Sequence, residues 1–161
     1  LMGKTGSGKS NFINVVTGMQ PEDGADSLSS CTKEVFAYQC YRNGQRYIFV
    51  DTPGLNNGKL SQSAVFKAIA RWLEVTYRRH SIKLTGVIYT QDITDNSWSP
   101  TDMHGFQLFD RLCGSEAAHQ VRLVTTMWDE ADKSEADKAE GTLEKTHWNS
   151  LIAAGAQPQR F

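Results

Sequence analysis

Eight residues near the start of the chain, GKTGSGKS from Gly3 to Ser10, have the composition and spacing of a phosphate-binding loop. They match the pattern GxxxxGK[ST] at every fixed position. Glycines allow backbone N–H groups to turn inward around a phosphate, and the positive end of the following helix dipole strengthens that attraction. Lys9 is predicted to reach the β- and γ-phosphates of a nucleotide, and the Ser10 hydroxyl to bind Mg²⁺. Taken alone, the stretch has a glycine-rich turn without a ligand as its alternative. The predicted nucleotide-binding residues here are Gly3, Lys4, Thr5, Gly6, Ser7, Gly8, Lys9, Ser10 and Asn11.

A second motif, FVDTPGL at residues 49–55, follows at a distance suited to the first. An apolar strand brings Asp51 to its carboxyl end, where open α/β sheets bind their ligands. We predict that Asp51 holds Mg²⁺ through a water molecule and that the amide of Gly54 senses a γ-phosphate. An Asp-x-Pro-Gly sequence is by itself an ordinary turn, so its meaning depends on the phosphate-binding loop.

The segment between these motifs, residues 20–32, is rich in Pro, Gly, Asp and Ser and is predicted to be a loop. Thr32 lies at its end and is predicted to complete the Mg²⁺ shell when a γ-phosphate is present, then to release it after hydrolysis. Ser29 and Ser30 are the alternatives for this role. We therefore expect two switch loops, at residues 20–33 and 54–60.

Base recognition is predicted at TTMWD, which ends an apolar run from residue 121 to residue 128. GTP-binding proteins usually have [NT]KxD at this point. The carboxylate of Asp129 would accept hydrogen bonds from N1–H and the exocyclic amine of guanine. Adenine instead offers an acceptor at N1 and lacks the amine beside it. Thr126 fits the pattern, whereas Met127 replaces the lysine and keeps only its apolar packing. The alternative is an acidic residue that begins a helix after a strand.

The remaining pattern predicts an α/β fold, with a mostly parallel sheet, one antiparallel hairpin and helices on both faces. A short helix follows the phosphate-binding loop, and Asn43-Gly44 between two strand-like runs predicts the hairpin. Helical spacing continues over residues 61–79, and apolar runs predict strands at 84–90 and 121–128. A final helix is expected near residues 142–155.

Composition limits the class of protein. The chain has 161 residues, 39% of them hydrophobic, and a formal net charge of −1, which suits one compact domain and gives no support to a nucleic-acid partner. No apolar run approaches the roughly 20 residues of a membrane span. Three scattered cysteines are interpreted as reduced thiols of a cytoplasmic protein.

The motifs GKTGSGKSNFIN, SCTKEV, DTPGL, FDRLCG and LVTTMWDE together make the chain resemble the translation-factor-related GTPases. Within them it is similar to the septin and immunity-associated (GIMAP) branch, to chloroplast import GTPases and to fungal GTPase domains. The resemblance implies a Ras-like P-loop fold, GTP or GDP with Mg²⁺ and, in many members, a homodimer across the nucleotide face. Relative to that fold, we expect a single GTP-binding domain over residues 1–161. It would lack most of the first strand, and also the last strand with the final base-contacting loop.

Comparison with Ras-type enzymes bears on hydrolysis. Leu55 stands where those enzymes have the glutamine that orients the attacking water, and Thr5 stands where they need glycine to admit an arginine finger. The resemblance to the septin and GIMAP branch implies that the loop after the fourth strand can supply a catalytic residue across a dimer. Gln91 in that loop is predicted to orient a water, although Asp92 beside it would repel phosphate. The alternative is that both are ordinary loop residues. The predicted catalytic residues are Lys9, Thr32, Gly54 and Gln91, and the predicted metal ligands are Ser10, Thr32 and Asp51.

The leading interpretation is a GTP-binding domain that hydrolyses GTP slowly. One alternative is an assembly module in which bound GTP builds a dimer without hydrolysis, and another is an ATP-binding protein with the same loop.

Overall fold

The computed structural model describes residues 1–18, 35–56, 58, 60–80, 84–95 and 97–161. The chain forms two compact units, Leu1–Lys83 and Leu84–Phe161. The whole of the first predicted switch loop, residues 20–33, with Thr32 and its alternatives Ser29 and Ser30, lies outside the described residues.

The first unit runs in the order β1 (Met2–Gly3), α1 (Lys9–Thr17), β2 (Phe36–Arg42), β3 (Gln45–Asp51) and α2 (Gln62–His80). Strands β2 and β3 pair antiparallel, with Arg42 opposite Gln45 beside the turn. Asn43 and Gly44 join them with φ of 51° and 75°, and two positive φ values in a two-residue turn are typical of type I′. The hairpin predicted from this Asn-Gly pair is therefore confirmed.

Hydrogen bonds at the start of the chain tie it to the end of β3. The backbone nitrogen of Leu1 donates to the carbonyl of Val50 at 2.6 Å, and the hydroxyl of Thr52 donates to the carbonyl of Leu1 at 2.6 Å. As a result, the loop that follows β1 and the DTPG segment that follows β3 begin side by side, and ligands in such folds bind at strand ends.

The second unit runs in the order β4 (Val87–Asp92), α3 (Pro100–Ala117), β5 (Val121–Thr126), α4 (Lys133–Lys145), α5 (Asn149–Ala153) and β6 (Gln157–Arg160). Strand β5 pairs in parallel with β4 and with β6, Val121 lying opposite Val87 and Arg122 opposite Gln157. Parallel strands joined through helices, together with the antiparallel hairpin of the first unit, confirm the predicted α/β class.

The core of the second unit is aromatic. The ring of Tyr89 on β4 lies 5.1 Å from that of Phe106 and 4.8 Å from that of Phe109, both on α3, and Tyr89 and Phe109 are almost fully buried. Such ring contacts add to the free energy of apolar burial. None of the helices in the described part of the chain is long and apolar enough to cross a membrane.

Three element boundaries differ from the sequence prediction. Strand β4 continues through Gln91 and Asp92, which were expected in a loop, and β5 ends at Thr126 rather than at residue 128. The single final helix is two helices, because the chain tightens after α4 and buries Trp148, whose amide donates to the carbonyl of Leu143 at 2.8 Å. The segment QPQRF, at which the last strand is expected to begin, contains β6.

Candidate functional site

The predicted phosphate-binding loop connects β1 to α1 in the first unit. All three glycines of the motif adopt positive φ, 148° at Gly3, 86° at Gly6 and 73° at Gly8, the last immediately before α1. Residues with a Cβ rarely adopt this conformation, so the glycines of the motif are required by the backbone path. Ser7 stabilises the loop internally, because its buried hydroxyl donates a hydrogen bond to the carbonyl of Lys4 at 2.9 Å.

Lys9, the first residue of α1, is buried and folds back over its own loop. Its Nζ donates to the carbonyl of Lys4 at 2.6 Å and to the carbonyl of Gly3 at 3.3 Å. Burial desolvates the ammonium group and lowers its pKa from the ordinary 10.5 to about 8, against a smaller opposing effect of Asp51. The loop therefore holds a cation whose solvation by water has been replaced by two carbonyls.

Ser10 and Asp51, predicted as metal ligands from separate motifs, are brought together. The Ser10 hydroxyl donates to Oδ2 of Asp51 at 2.8 Å. A hydroxyl and a carboxylate are the hard oxygen ligands that Mg²⁺ prefers, and phosphate-site Mg²⁺ takes its other ligands from phosphate and water. Within the described ranges there is no cluster of three or more His, Cys, Asp or Glu side chains that could hold a metal. The pair thus fits a Mg²⁺ shared with a bound phosphate.

Gly54, predicted to sense the γ-phosphate, lies against the phosphate-binding loop. A Cβ built at Gly54 would stand 2.2 Å from Oγ1 of Thr5 and 2.7 Å from its backbone nitrogen. Leu55 follows, with a buried side chain and an amide that donates to the carbonyl of Gly3 at 3.1 Å. The absence of a side chain at Gly54 is therefore what allows the DTPG segment to approach the loop so closely.

The predicted base-recognition residues lie in the second unit, at the carboxyl end of β5. Thr126 is buried, and its hydroxyl donates to the carbonyl of Gln91 at 3.2 Å. Met127 has a φ of 62°, which ends the strand in a sharp turn and explains why β5 is shorter than predicted. Asp129 follows that turn and is exposed to solvent, so its carboxylate is accessible to a ligand.

A pair of residues beside this turn was not anticipated. The indole N–H of Trp128 donates to Oγ1 of Thr125 at 3.0 Å, and the guanidinium of Arg160 stacks over the Trp128 ring, 4.0 Å from its centroid. Arg160 is held in turn by Glu140, to which its Nε donates at 2.9 Å, and by Asp137 at 2.9 Å. The tryptophan beside Asp129 was a visible sequence signal, but nothing in the sequence indicated that Arg160 would meet it.

Gln91, predicted to orient a catalytic water, is only 1% exposed. Its side-chain amide donates to the carbonyls of Asp92 at 3.1 Å and Asp95 at 3.4 Å, and so holds the turn after β4. The carboxylate of Asp92 accepts from the amide and hydroxyl of Thr94 in the same turn. In this conformation both side chains are engaged in local structure rather than presented to a ligand, and the predicted catalytic role of Gln91 has no geometric support.

The arrangement of a glycine loop, a buried lysine and a hydroxyl–carboxylate pair defines a P-loop nucleotide-binding protein, and solved structures agree on the fold. Toc33 from Arabidopsis thaliana in complex with Mg²⁺ and GMPPNP superposes with a TM-score of 0.76 at 17% identity, covering 99% of this chain and 67% of that one. Toc33 with GDP and Mg²⁺ gives 0.75 at 18% identity, with the same coverage. A bacterial selenocysteine-specific elongation factor, EF-Sec, gives 0.64 at 15% identity, covering 99% of this chain and 24% of that one.

These likenesses confirm the Ras-like fold of P-loop GTPases. Residues 1–108 match the family described as 50S ribosome-binding GTPase, and the chain therefore belongs to this GTPase family. No curated protein matches the sequence significantly. The chain spans about two thirds of the length of the Toc33 chains that it resembles.

Proposed function

We propose that this chain is a GTP-binding domain that hydrolyses GTP slowly to GDP and phosphate with the help of Mg²⁺. The observation that carries the proposal is the hydrogen bond of 2.8 Å between Ser10 and Asp51, which unites two separate motifs at one phosphate-binding loop. Membership of a GTPase family and the Toc33 complexes with Mg²⁺ and guanine nucleotides support it.

The phosphate groups would be bound by residues of the first unit. Backbone amides of the loop and the Lys9 ammonium would meet the phosphate oxygens, and contact with the anion would favour the charged form of Lys9. Ser10, Asp51 and Thr32 would hold Mg²⁺, and a bound Mg²⁺ supplies positive charge that offsets the charge developing on the phosphate oxygens. The amide of Gly54 would turn toward the γ-phosphate.

Selection of the base would fall to Asp129. Its exposed carboxylate is a double acceptor that suits N1–H and the adjacent exocyclic amine of guanine, whereas adenine has an acceptor at N1 and no amine at that adjacent position. Thr126 would keep the turn in place through its hydrogen bond to Gln91, and Met127 would offer apolar contact to the base.

Slow turnover follows from Leu55. A buried aliphatic side chain at this position cannot orient an attacking water, and the side-chain amide of Gln91 is bonded within its own turn. Within the GTPases we assign the chain to the septin, GIMAP and chloroplast-import branch. For the chloroplast translocon components atToc33 and psToc159, dimerisation is described as important for GTPase activity. By analogy, we propose that a homodimer across the nucleotide face raises the rate.

Leu55 also favours a second candidate, a GTP-dependent assembly module in which hydrolysis is incidental. The test is single-turnover release of phosphate from GTP labelled at the γ-position, measured over a range of protein concentrations. Release that rises faster than linearly with protein supports hydrolysis in a dimer. No release at any concentration overturns hydrolysis and leaves the assembly module.

A matched pair of lysine variants provides the control. Lys9→Ala is expected to lose nucleotide binding and phosphate release, whereas Lys145→Ala, at the end of α4, is expected to retain both. Competition against a fluorescent guanine nucleotide tests the base: ATP competing as well as GTP would overturn the role of Asp129 and favour an ATP-binding protein.

A further inference from the structure

Thr5 carries a buried hydroxyl within the phosphate-binding loop. Its Oγ1 is shielded from solvent and has no hydrogen-bond partner among the residues that the structure describes. The other hydroxyl enclosed by this loop, that of Ser7, is satisfied by the carbonyl of Lys4 at 2.9 Å. A buried hydroxyl without a partner is destabilising, and valine would fill the same volume without that penalty. The hydroxyl of Thr5 therefore needs an explanation.

The residues around the Thr5 hydroxyl indicate which group of a bound ligand it would contact. Oγ1 of Thr5 faces Gly54, whose Cβ, if present, would be 2.2 Å away. Gly54 is the residue predicted to sense the γ-phosphate, so the hydroxyl lies where that sensing segment meets the loop. Leu55, next in the chain, contributes only an apolar side chain and an amide already bonded to Gly3. Thr5 thus supplies a side-chain polar group at this contact.

We propose that Thr5 reads the γ-phosphate: its hydroxyl donates a hydrogen bond to an oxygen of the terminal phosphate and so makes the loop prefer GTP to GDP. The inference rests on the proposed function. When a triphosphate binds, Gly54 and Thr5 exchange their mutual contact for contacts to the same phosphate group, which couples occupation of the loop to movement of the DTPG segment. A diphosphate has no group at that position and leaves the contact intact.

The test compares two substitutions at Thr5. Thr5→Val keeps the branched shape and removes the hydroxyl, and Thr5→Ser keeps the hydroxyl. The measurement is the dissociation constant for GTPγS and for GDP, each with Mg²⁺, by fluorescence titration. Thr5→Val is expected to weaken GTPγS binding about tenfold or more, because hydrogen bonds to charged acceptors are the strong ones. Binding of GDP is expected to change less than about twofold, and Thr5→Ser is expected to keep the preference for the triphosphate.

One control variant and one replacement variant complete the test. Thr142→Val makes the same chemical change on the exposed face of α4, where the hydroxyl donates only to the carbonyl of Lys138, and both affinities should stay unchanged. If Thr5→Val does not fold, as judged by circular dichroism, Thr5→Ala takes its place.

Equal weakening of GDP and GTPγS by Thr5→Val, or no weakening of either, overturns the inference while leaving GTP binding intact. If the unsubstituted protein binds neither nucleotide, the proposed function itself is wrong, and the inference is overturned with it.

Discussion

Lys9 shows how the enclosure of one side chain within its loop creates a pH-dependent site. The pKa of about 8, against an ordinary 10.5, means that the unfolded chain binds more protons than the folded one between these values. The contribution of Lys9 to stability therefore rises with pH from about 8 to 10.5, and it is lost over the same window as the pH falls. Phosphate binding acts in the opposite sense, because an anion favours the charged form of the lysine.

We therefore expect nucleotide affinity to be constant below about pH 8 and to fall by up to about tenfold per pH unit above it. Fluorescence titration of GDP across this range measures the effect, and calorimetry in buffers of different ionisation enthalpy should show proton uptake above pH 8. Lys9→Arg, which stays charged throughout, should bind with little pH dependence. The same decline in Lys9→Arg would show that another group is responsible.

A substitution at Asp129 tests base selection without disturbing the fold, because the Asp129 side chain is exposed. Asp129→Asn replaces one of the two acceptors by a donor, which no longer matches the exocyclic amine of guanine but does match the second carbonyl of xanthine. We expect affinity for GTP to fall at least tenfold and affinity for XTP to rise above it. Binding competition measures both, with an unchanged melting temperature as the check on folding.

Glu130→Gln is the matched control for this substitution, because it neutralises the adjacent exposed carboxylate. It should leave the preference for GTP unchanged. Equal losses of GTP, XTP and ATP in Asp129→Asn would mean that Asp129 does not contact the base.

Among the elements, α3 illustrates how a local sequence signal fixes the start of a helix. The hydroxyl of Ser99 accepts from the amide of Asp102 at 3.2 Å, and the Asp102 carboxylate accepts from the amide of Ser99 at 3.1 Å, with Pro100 between them. This is a reciprocal capping box, in which two otherwise unpaired backbone amides are satisfied. Phe106 and Phe109, which pack on Tyr89, are positioned by the helix that begins here.

Ser99→Ala should therefore lower the free energy of unfolding by about 1 kcal/mol, the usual cost of losing an N-terminal cap. Urea denaturation measures it. Ser134→Ala, in the first turn of α4, is the matched control, because there the side chain of Asp132 caps the helix and remains in place. Equal stability of the two variants would contradict a structural role for the Ser99 hydroxyl.

Elements whose signals are local were predictable from sequence, and those set by distant contacts were not. The helix after the phosphate-binding loop and the Asn43-Gly44 turn both follow from short motifs. Ser10 and Asp51 are 41 positions apart, and their meeting was predictable only because each belongs to a short motif that is recognisable by itself. The burial of Gln91 depends on how far β4 extends, and the break before Trp148 depends on a buried indole, so neither is visible in local periodicity. The stacking of Arg160 on Trp128 joins residues far apart in the chain, and no local pattern encodes it.

At the scale of the whole molecule, the two parts of the proposed function, phosphate binding and guanine selection, have different support. The family match ends at residue 108 and includes the phosphate-binding loop, Asp51 and Gly54, whereas Asp129 lies beyond it. Phosphate binding is thus supported by family membership and by geometry together. The proposed role of Asp129 in guanine selection rests on the chemistry of one exposed carboxylate, which is why the substitution at Asp129 is the more informative experiment on specificity.

Stability of the whole chain should report on Mg²⁺ and nucleotide together. A ligand at about 100 times its dissociation constant stabilises a folded protein by about 2.7 kcal/mol, so GDP with Mg²⁺ at that excess should raise the free energy of unfolding by this amount. Because Ser10 and Asp51, the proposed Mg²⁺ ligands, are brought together at the loop, chelation by EDTA should remove much of the gain. Ser10→Ala should abolish the difference between Mg²⁺ and EDTA, while Ser134→Ala should preserve it. Identical stabilisation by GDP with and without EDTA in the unsubstituted protein would mean that the Ser10–Asp51 pair holds no metal.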